Sequence, residues 1–287
     1  MRTIKAIHKA VYEPIADLIT YRAMPSASLP MNAIDPFIFL NHHGHQEYLP
    51  KNNGLPFGPH PHRGFETVTF ILEGDLVHKD SSGHESIIHT GGVQWMVAGK
   101  GLIHAEISSD EFKSNGGPLE ILQLWINLPS KYKMTDPSYR GLQQKDIPWV
   151  WLDGNKAIAY IIFGDWKGAQ APLQALTDIH LARIDFKEGG KTGFFIPKEK
   201  NILFYVVKGT LSVNGKEIQQ HDLAVFAHDD ESVEITALTD AIILFGHATP
   251  FHEPFFAYGP FVMNTRDEIR QAYDDYNTGK FGSENNF

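Results

Sequence analysis

The spacing of apolar residues constrains this chain's fold most tightly. From Phe65 onwards they come in short runs, "FETVTFILEGDL", "HTGGVQWMVAGKGLIHAEI" and "PLEILQLWINLP", rich in Val, Ile, Thr, Phe and Trp and broken by Gly, Ser and Asp. Runs of this length between turn residues form the strands of a sandwich or barrel, and helical periodicity is weak within them. A second set follows in "HLARIDF", "ILFYVVKGTLSVNG", "DLAVFA", "SVEITA" and "AIILFG". Its "ILFYVVKGTLSVNG" matches "TVTFILEGDLVHKD" in position and pattern, which marks a diverged internal repeat. The segment 129–148 between the two sets is polar with three prolines, as suits a crossing linker.

A chain of 287 residues accommodates two domains of ordinary size. The expected organisation is an N-terminal domain over 1–132, a linker over 133–148, a C-terminal domain over 149–258 and a terminal segment over 259–287. In that last segment Thr265 and Glu268 form a capping-box pattern, and Ile269, Ala272, Tyr273 and Tyr276 follow at helical spacing. One C-terminal helix is expected there, packed back on the N-terminal domain. The fold class is therefore mainly all-β.

The chain has no cysteine, so a transition metal would have to be held by imidazole, carboxylate or water, and 15 histidines supply the first. A net charge of −9 argues against a broad phosphate-binding surface, and no direct nucleic-acid partner is expected. The N-terminus lacks the apolar stretch of a signal peptide, and no run of 18 apolar residues occurs, so the expectation is a cytoplasmic protein without a membrane partner.

"GPHPHRGFE" places His60 and His62 two residues apart before a strand-like run. In a strand such residues share a face with Cα atoms roughly 6.6 Å apart, close enough for two imidazoles to converge on one ion. Alone, the pair is a weak signal in a His-rich chain. "GLIHAEI" repeats the arrangement with His104 and Glu106, and the two pairs facing each other make a site of three histidines and one carboxylate. Aligning Gly209 with Gly74 gives an offset of 135 (209 less 74), which puts Phe195 and Pro197 where His60 and His62 stand, so the second repeat has lost that pair. The stretch "NHHGHQEY" reads as a loop whose His43 and His45 are not ligands. His78 and the other scattered histidines read as ordinary surface or core residues. Arg63 falls on the opposite strand face and reads as a fold residue, and Trp95 and Trp125 read as core.

Taken together, Gly54–Glu66 ("G-x5-H-P-H-R-G-F-E") and Gly91–Glu106 ("GGVQWMVAGKGLIHAE") resemble the two cupin motifs in the form found in the pirin family. "DPFIFL" at 35–40, "QLWINLP" at 123–129 and "GPFVMNT" at 259–265 extend the resemblance over nearly the whole chain. It implies a bicupin: two β-barrel (double-stranded β-helix, or jelly-roll) domains face to face, with metal only in the first. By spacing alone Glu66 would share the face of His60 and His62 in an unbroken strand and compete with Glu106 for the metal. The pirin resemblance implies Glu106 as fourth ligand, with Glu66 behind the ligands as an acceptor that orients an imidazole N–H.

Three imidazoles and a carboxylate suit one divalent transition metal; Fe(II) is the expected ion, with Mn, Co, Ni, Cu and Zn as alternatives. The resemblance implies a dioxygenase that binds a small aromatic, O2-reactive substrate, a flavonol such as quercetin, in a quercetin 2,3-dioxygenase-like reaction. Glu106 would be both ligand and catalytic base. It also implies a rival: a metal- or redox-sensing regulatory protein that binds transcriptional or metabolic protein partners. A cupin enzyme such as a sugar isomerase is a weaker third reading.

Overall fold

The computed structural model describes residues 1–283. It contains two compact units, neither continuous in sequence. One is built from Met1–Val11, Arg22–Phe37 and Lys145–Pro250, and the other from Tyr12–Tyr21, Ile38–Gln144 and the chain from Phe251 onwards.

In the histidine-bearing unit the larger antiparallel sheet runs through Ser138–Leu142, Val93–Val97, Phe65–Glu73, Gly117–Asn127 and Phe37–Tyr48, in that order. A four-stranded sheet runs Phe57–His62, Leu102–Ile107, Asp75–Asp80, Glu85–His89. Leu18, Leu55, Ile71, Leu76, Ile88, Leu119 and Ile121 form a buried cluster in this unit. Each such side chain contributes about 1.5 to 3 kcal/mol by leaving water.

The other unit repeats the plan. A seven-stranded sheet begins with Ile4–Lys9, and a four-stranded sheet begins with Lys191–Phe195. Its core clusters Ile161, Ile184, Phe204, Leu211, Ile243 and Phe245. Phe195 lies on the edge strand of the smaller sheet and pairs with Ser232, where the first repeat pairs His60 with His104. Both units have the cupin architecture, and the second lacks the facing histidines.

Two expected boundaries are corrected. Met1–Val11 was expected in the N-terminal domain, but Ile4–Lys9 pairs antiparallel with Asp222–Phe226 and so completes the C-terminal unit. Arg2 fixes the exchange: it is buried, and its guanidinium donates to the carbonyls of Ala227 at 2.6 Å, Lys200 at 2.6 Å and Lys198 at 3.0 Å. The expected linker 133–148 contains the strand Ser138–Leu142, which pairs with Val93–Val97 at the edge of the large sheet. A short helix, Asp110–Asn115, also escapes the sequence pattern; Ser109 caps it by accepting from the Phe112 N–H at 3.0 Å.

The C-terminal helix Arg266–Asn277 carries the capping box: Thr265 Oγ1 accepts from the Glu268 N–H at 3.2 Å, and Glu268 Oε2 accepts from the Thr265 N–H at 2.8 Å. Ile269 and Ala272 pack with Ile103, Phe261 and Met263. Arg63 ties the helix down. Its Nη1 lies 2.8 Å from Asp275 Oδ2, its Nε donates to the Lys100 carbonyl at 2.7 Å, and its guanidinium covers the Phe281 ring. Among the described residues no helix is long and apolar enough to cross a membrane.

Candidate metal centre

The strand Phe57–His62 is the edge of its sheet, where Pro59 and Pro61 lose no interior ladder bond and hold the backbone extended. Alternation then puts His60 and His62 on one face. The neighbouring strand sets His104 directly opposite His60. The three rings lie 4.3 to 4.9 Å apart by their centroids, and one ligand nitrogen from each falls within 4.8 Å of the others.

The hydrogen bonds choose the nitrogens. His60 Nδ1 is 2.7 Å from the Gly58 carbonyl, and His62 Nδ1 is 3.3 Å from the Pro260 carbonyl. A carbonyl only accepts, so both Nδ1 atoms carry the proton and both Nε2 lone pairs are left for a metal. His104 is fully buried, and neither of its ring nitrogens has a hydrogen-bond partner. Burial holds His62 and His104 well below the usual imidazole range, reinforced by the neighbouring histidines, and lowers His60 as well. Converging neutral imidazoles, with the buried nitrogens of His104 unpartnered, are what a transition metal requires, so these residues fit one.

Glu106 lies outside the converged group of three. The pairing is irregular between His104 and Glu106, with the extra residue on the Phe57–His62 strand, and the Glu106 carboxylate reaches the larger sheet. There, Gln94, Thr69 and Gln123 stand side by side on three neighbouring strands, and all three donate to it. Thr69 Oγ1 is 3.2 Å from Glu106 Oε1, Gln94 Nε2 donates to the same oxygen, and Gln123 Nε2 is 2.6 Å from Oε2. Burial pushes the carboxyl up to about 7 against the pull of these donors. Three donors leave lone-pair capacity on the carboxylate, which has about four acceptor sites.

Glu66 differs from expectation. Gly64, at φ 88°, lies between the histidine strand and the strand Phe65–Glu73, so Glu66 belongs to the other sheet and the shared-face argument fails. Its Oε2 accepts from Trp95 Nε1 at 3.3 Å, its Oε1 is buried without a partner, and burial pushes its carboxyl up to about 8. The carbonyls of Gly58 and Pro260, not Glu66, orient the imidazoles.

Sequence reasoning passed over His78. It is fully buried, stands opposite Glu106 in the strand pairing, and places its ring 5.6 Å from that of His104. The signal was present as a third i, i+2 pair, His78 and Asp80, whose side chains meet at 3.0 Å. Trp125, expected in the core, is partly exposed, and its ring meets His62 edge-on at 5.2 Å beside Phe39 and Phe65. "NHHGHQEY" belongs to the strand Phe37–Tyr48 and is not a loop. It brings His45 near Glu73 and Glu120, but His45 Nδ1 already faces Glu73 at 2.7 Å and His42 faces Glu120 at 2.8 Å.

The Pirin family model matches residues 19–126, and the model of the pirin C-terminal cupin domain matches 181–282. A Pseudomonas aeruginosa protein named "Putative quercetin 2,3-dioxygenase PA2418" is 36% identical over 268 residues, covering 93% of this chain and 92% of its own. Pirin-1 of Arabidopsis thaliana is 37% identical over 257 residues, covering 88% of this chain and 85% of its own. The crystal structure of a quercetin 2,3-dioxygenase from Acinetobacter baumannii superposes with a TM-score of 0.93 at 33% identity, covering 99% of both chains.

Proposed function

The chain belongs to the pirin family, and from that premise we propose that it is a metal-dependent dioxygenase acting on flavonols, with a quercetin 2,3-dioxygenase-like reaction. One observation carries the reading: three neutral imidazoles converge, two of them buried, and neither nitrogen of His104 has a protein partner. His60, His62 and His104 would hold one divalent transition metal with Glu106 as fourth ligand, and Fe(II) is the ion we favour. When bound, the metal supplies a Lewis acid and open positions for a chelating substrate and O2.

The protein's own groups supply the rest. Glu106, with its carboxyl near 7, is suited to take the proton of the substrate's 3-hydroxyl. Phe39, Phe65 and Trp125 make an aromatic wall beside His62 that suits a planar substrate and keeps water away from the ligands. The buried indole N–H of Trp125 has no acceptor in the protein, so a substrate oxygen there would satisfy it. The likeness to the Acinetobacter quercetin 2,3-dioxygenase supports this substrate class.

The test is flavonol consumption by full-length protein reconstituted separately with each divalent metal, in air and under anaerobic conditions. O2-dependent loss of quercetin with at least one metal is expected. No O2-dependent loss with any metal, in protein shown to be loaded, overturns the enzymatic reading in favour of a metal-sensing regulatory protein.

A further inference from the structure

A chain of hydrogen bonds approaches Glu106 from the edge of the large sheet. Ser86 Oγ lies 2.5 Å from the Tyr139 hydroxyl, that hydroxyl lies 3.3 Å from Gln94 Oε1, and Gln94 Nε2 donates to Glu106 Oε1. The direction of each bond is forced. Gln94 Oε1 only accepts, so the single hydroxyl proton of Tyr139 goes to it, and Ser86 must then donate to Tyr139. With its carbonyl end held, Gln94 turns its NH2 end to Thr69 and Glu106.

We infer that Tyr139 is a positioning residue of the metal centre, fixing the orientation of the Gln94 amide and through it the place of the Glu106 carboxylate. Its ring does a second job, stacking on His78 at 3.8 Å and 9°, directly behind the His78–His104 contact. Tyr139 sits on Ser138–Leu142, in the stretch between the two family-model matches. Gly141, opposite Gln94 on the same strand, makes room for it. A Cβ there would lie 3.0 Å from the Tyr139 hydroxyl and 2.6 Å from Ile88.

Without the hydroxyl the amide is free to rotate and set its oxygen against the carboxylate, which would push Glu106 out of place. The inference rests on the three-histidine centre as a metal site and is independent of the substrate. Co(II) is the probe, added to metal-free full-length protein, with affinity read by chelator competition and geometry by the visible absorption spectrum.

Tyr139→Phe keeps the stack on His78 and removes only the hydroxyl. It is expected to bind Co(II) about tenfold more weakly, with an altered spectrum. Ser86→Ala, a milder change that also guards against misfolding of the first variant, is expected to move both readouts the same way by less. In a Gln94→Leu background, Tyr139→Phe should have no further effect on either, because the route it acts through is gone. Wild-type affinity and spectrum in Tyr139→Phe, or effects of the two substitutions that simply add, overturn the assignment while leaving the centre standing. Failure of the wild type to take up Co(II) overturns the centre and the assignment together.

Discussion

His60 and His104 stand directly opposite each other on neighbouring antiparallel strands, their ring centroids 4.3 Å apart, while a backbone carbonyl holds one and nothing holds the other. An ion between them would take one of the two unpartnered ring nitrogens of His104. Protein prepared without added metal is expected to hold about one metal per chain by elemental analysis, and His62→Ala and His104→Ala are expected to hold almost none. At a free metal concentration of 100 times Kd, binding adds about 2.7 kcal/mol to wild-type stability, and thermal melts of the variants should lack that increment. Unchanged metal content in the variants refutes the site.

Glu66 supplies a pH signature in metal-free protein. Its buried carboxyl has been raised from the ordinary 4.5 to about 8, so between those values the folded chain holds a proton that the unfolded chain has released. Its contribution to stability is therefore fully present below pH 4.5 and is lost as the pH rises through about 8. Glu66→Gln keeps the shape of the protonated side chain and removes the titration. Relative to wild type, the variant should gain stability by up to about 1.4 kcal/mol per pH unit across that window, measured by urea denaturation from pH 5 to pH 8.5. A constant difference between the two proteins would show that Glu66 ionises normally.

What the sequence made legible follows range in the chain. The strand runs, the capping box at Thr265 and Glu268, and the i, i+2 placing of His60 with His62 all rest on local spacing, and the structure contains each of them. The roles that escaped depend on partners far away in sequence. Ile4–Lys9 alternates like any edge strand and says nothing about which sheet it joins. "NHHGHQEY" is polar enough to read as a loop because the groups that let His42 and His43 be buried, Glu120 and Thr20, lie 78 and 23 residues away. The unbroken strand that would have set Glu66 on the histidine face stops at Gly64, and the acceptor role that the resemblance implied for it goes instead to a bond from Trp95. The row of Gln94, Thr69 and Gln123 exists only through strand register, and no window of sequence displays it.

The clamp between Arg63 and Asp275 links the C-terminal helix to the histidine strand, because His62 is followed directly by Arg63 and is itself oriented by the Pro260 carbonyl just ahead of that helix. Lys280 first, then Gln271 and Arg63, hold the Asp275 carboxyl down at about 2 against the opposing effect of burial. A depressed carboxyl stabilises the fold above its ordinary 3.8, and that contribution is lost as the pH falls through about 2, so the clamp is fully in force at neutral pH. Arg63→Ala removes one of three partners of the Asp275 carboxylate, leaving Lys280 and Gln271 on its Oδ1, and is expected to cost about 2 kcal/mol. Hydrogen exchange should accelerate in Arg266–Asn277 well before it does in the strands of the large sheet. Because the Pro260 carbonyl that orients His62 lies just ahead of the released helix, metal affinity should fall as well, although every ligand remains. Unchanged exchange in the helix, or full metal affinity alongside a released helix, would show that the clamp does not reach the centre.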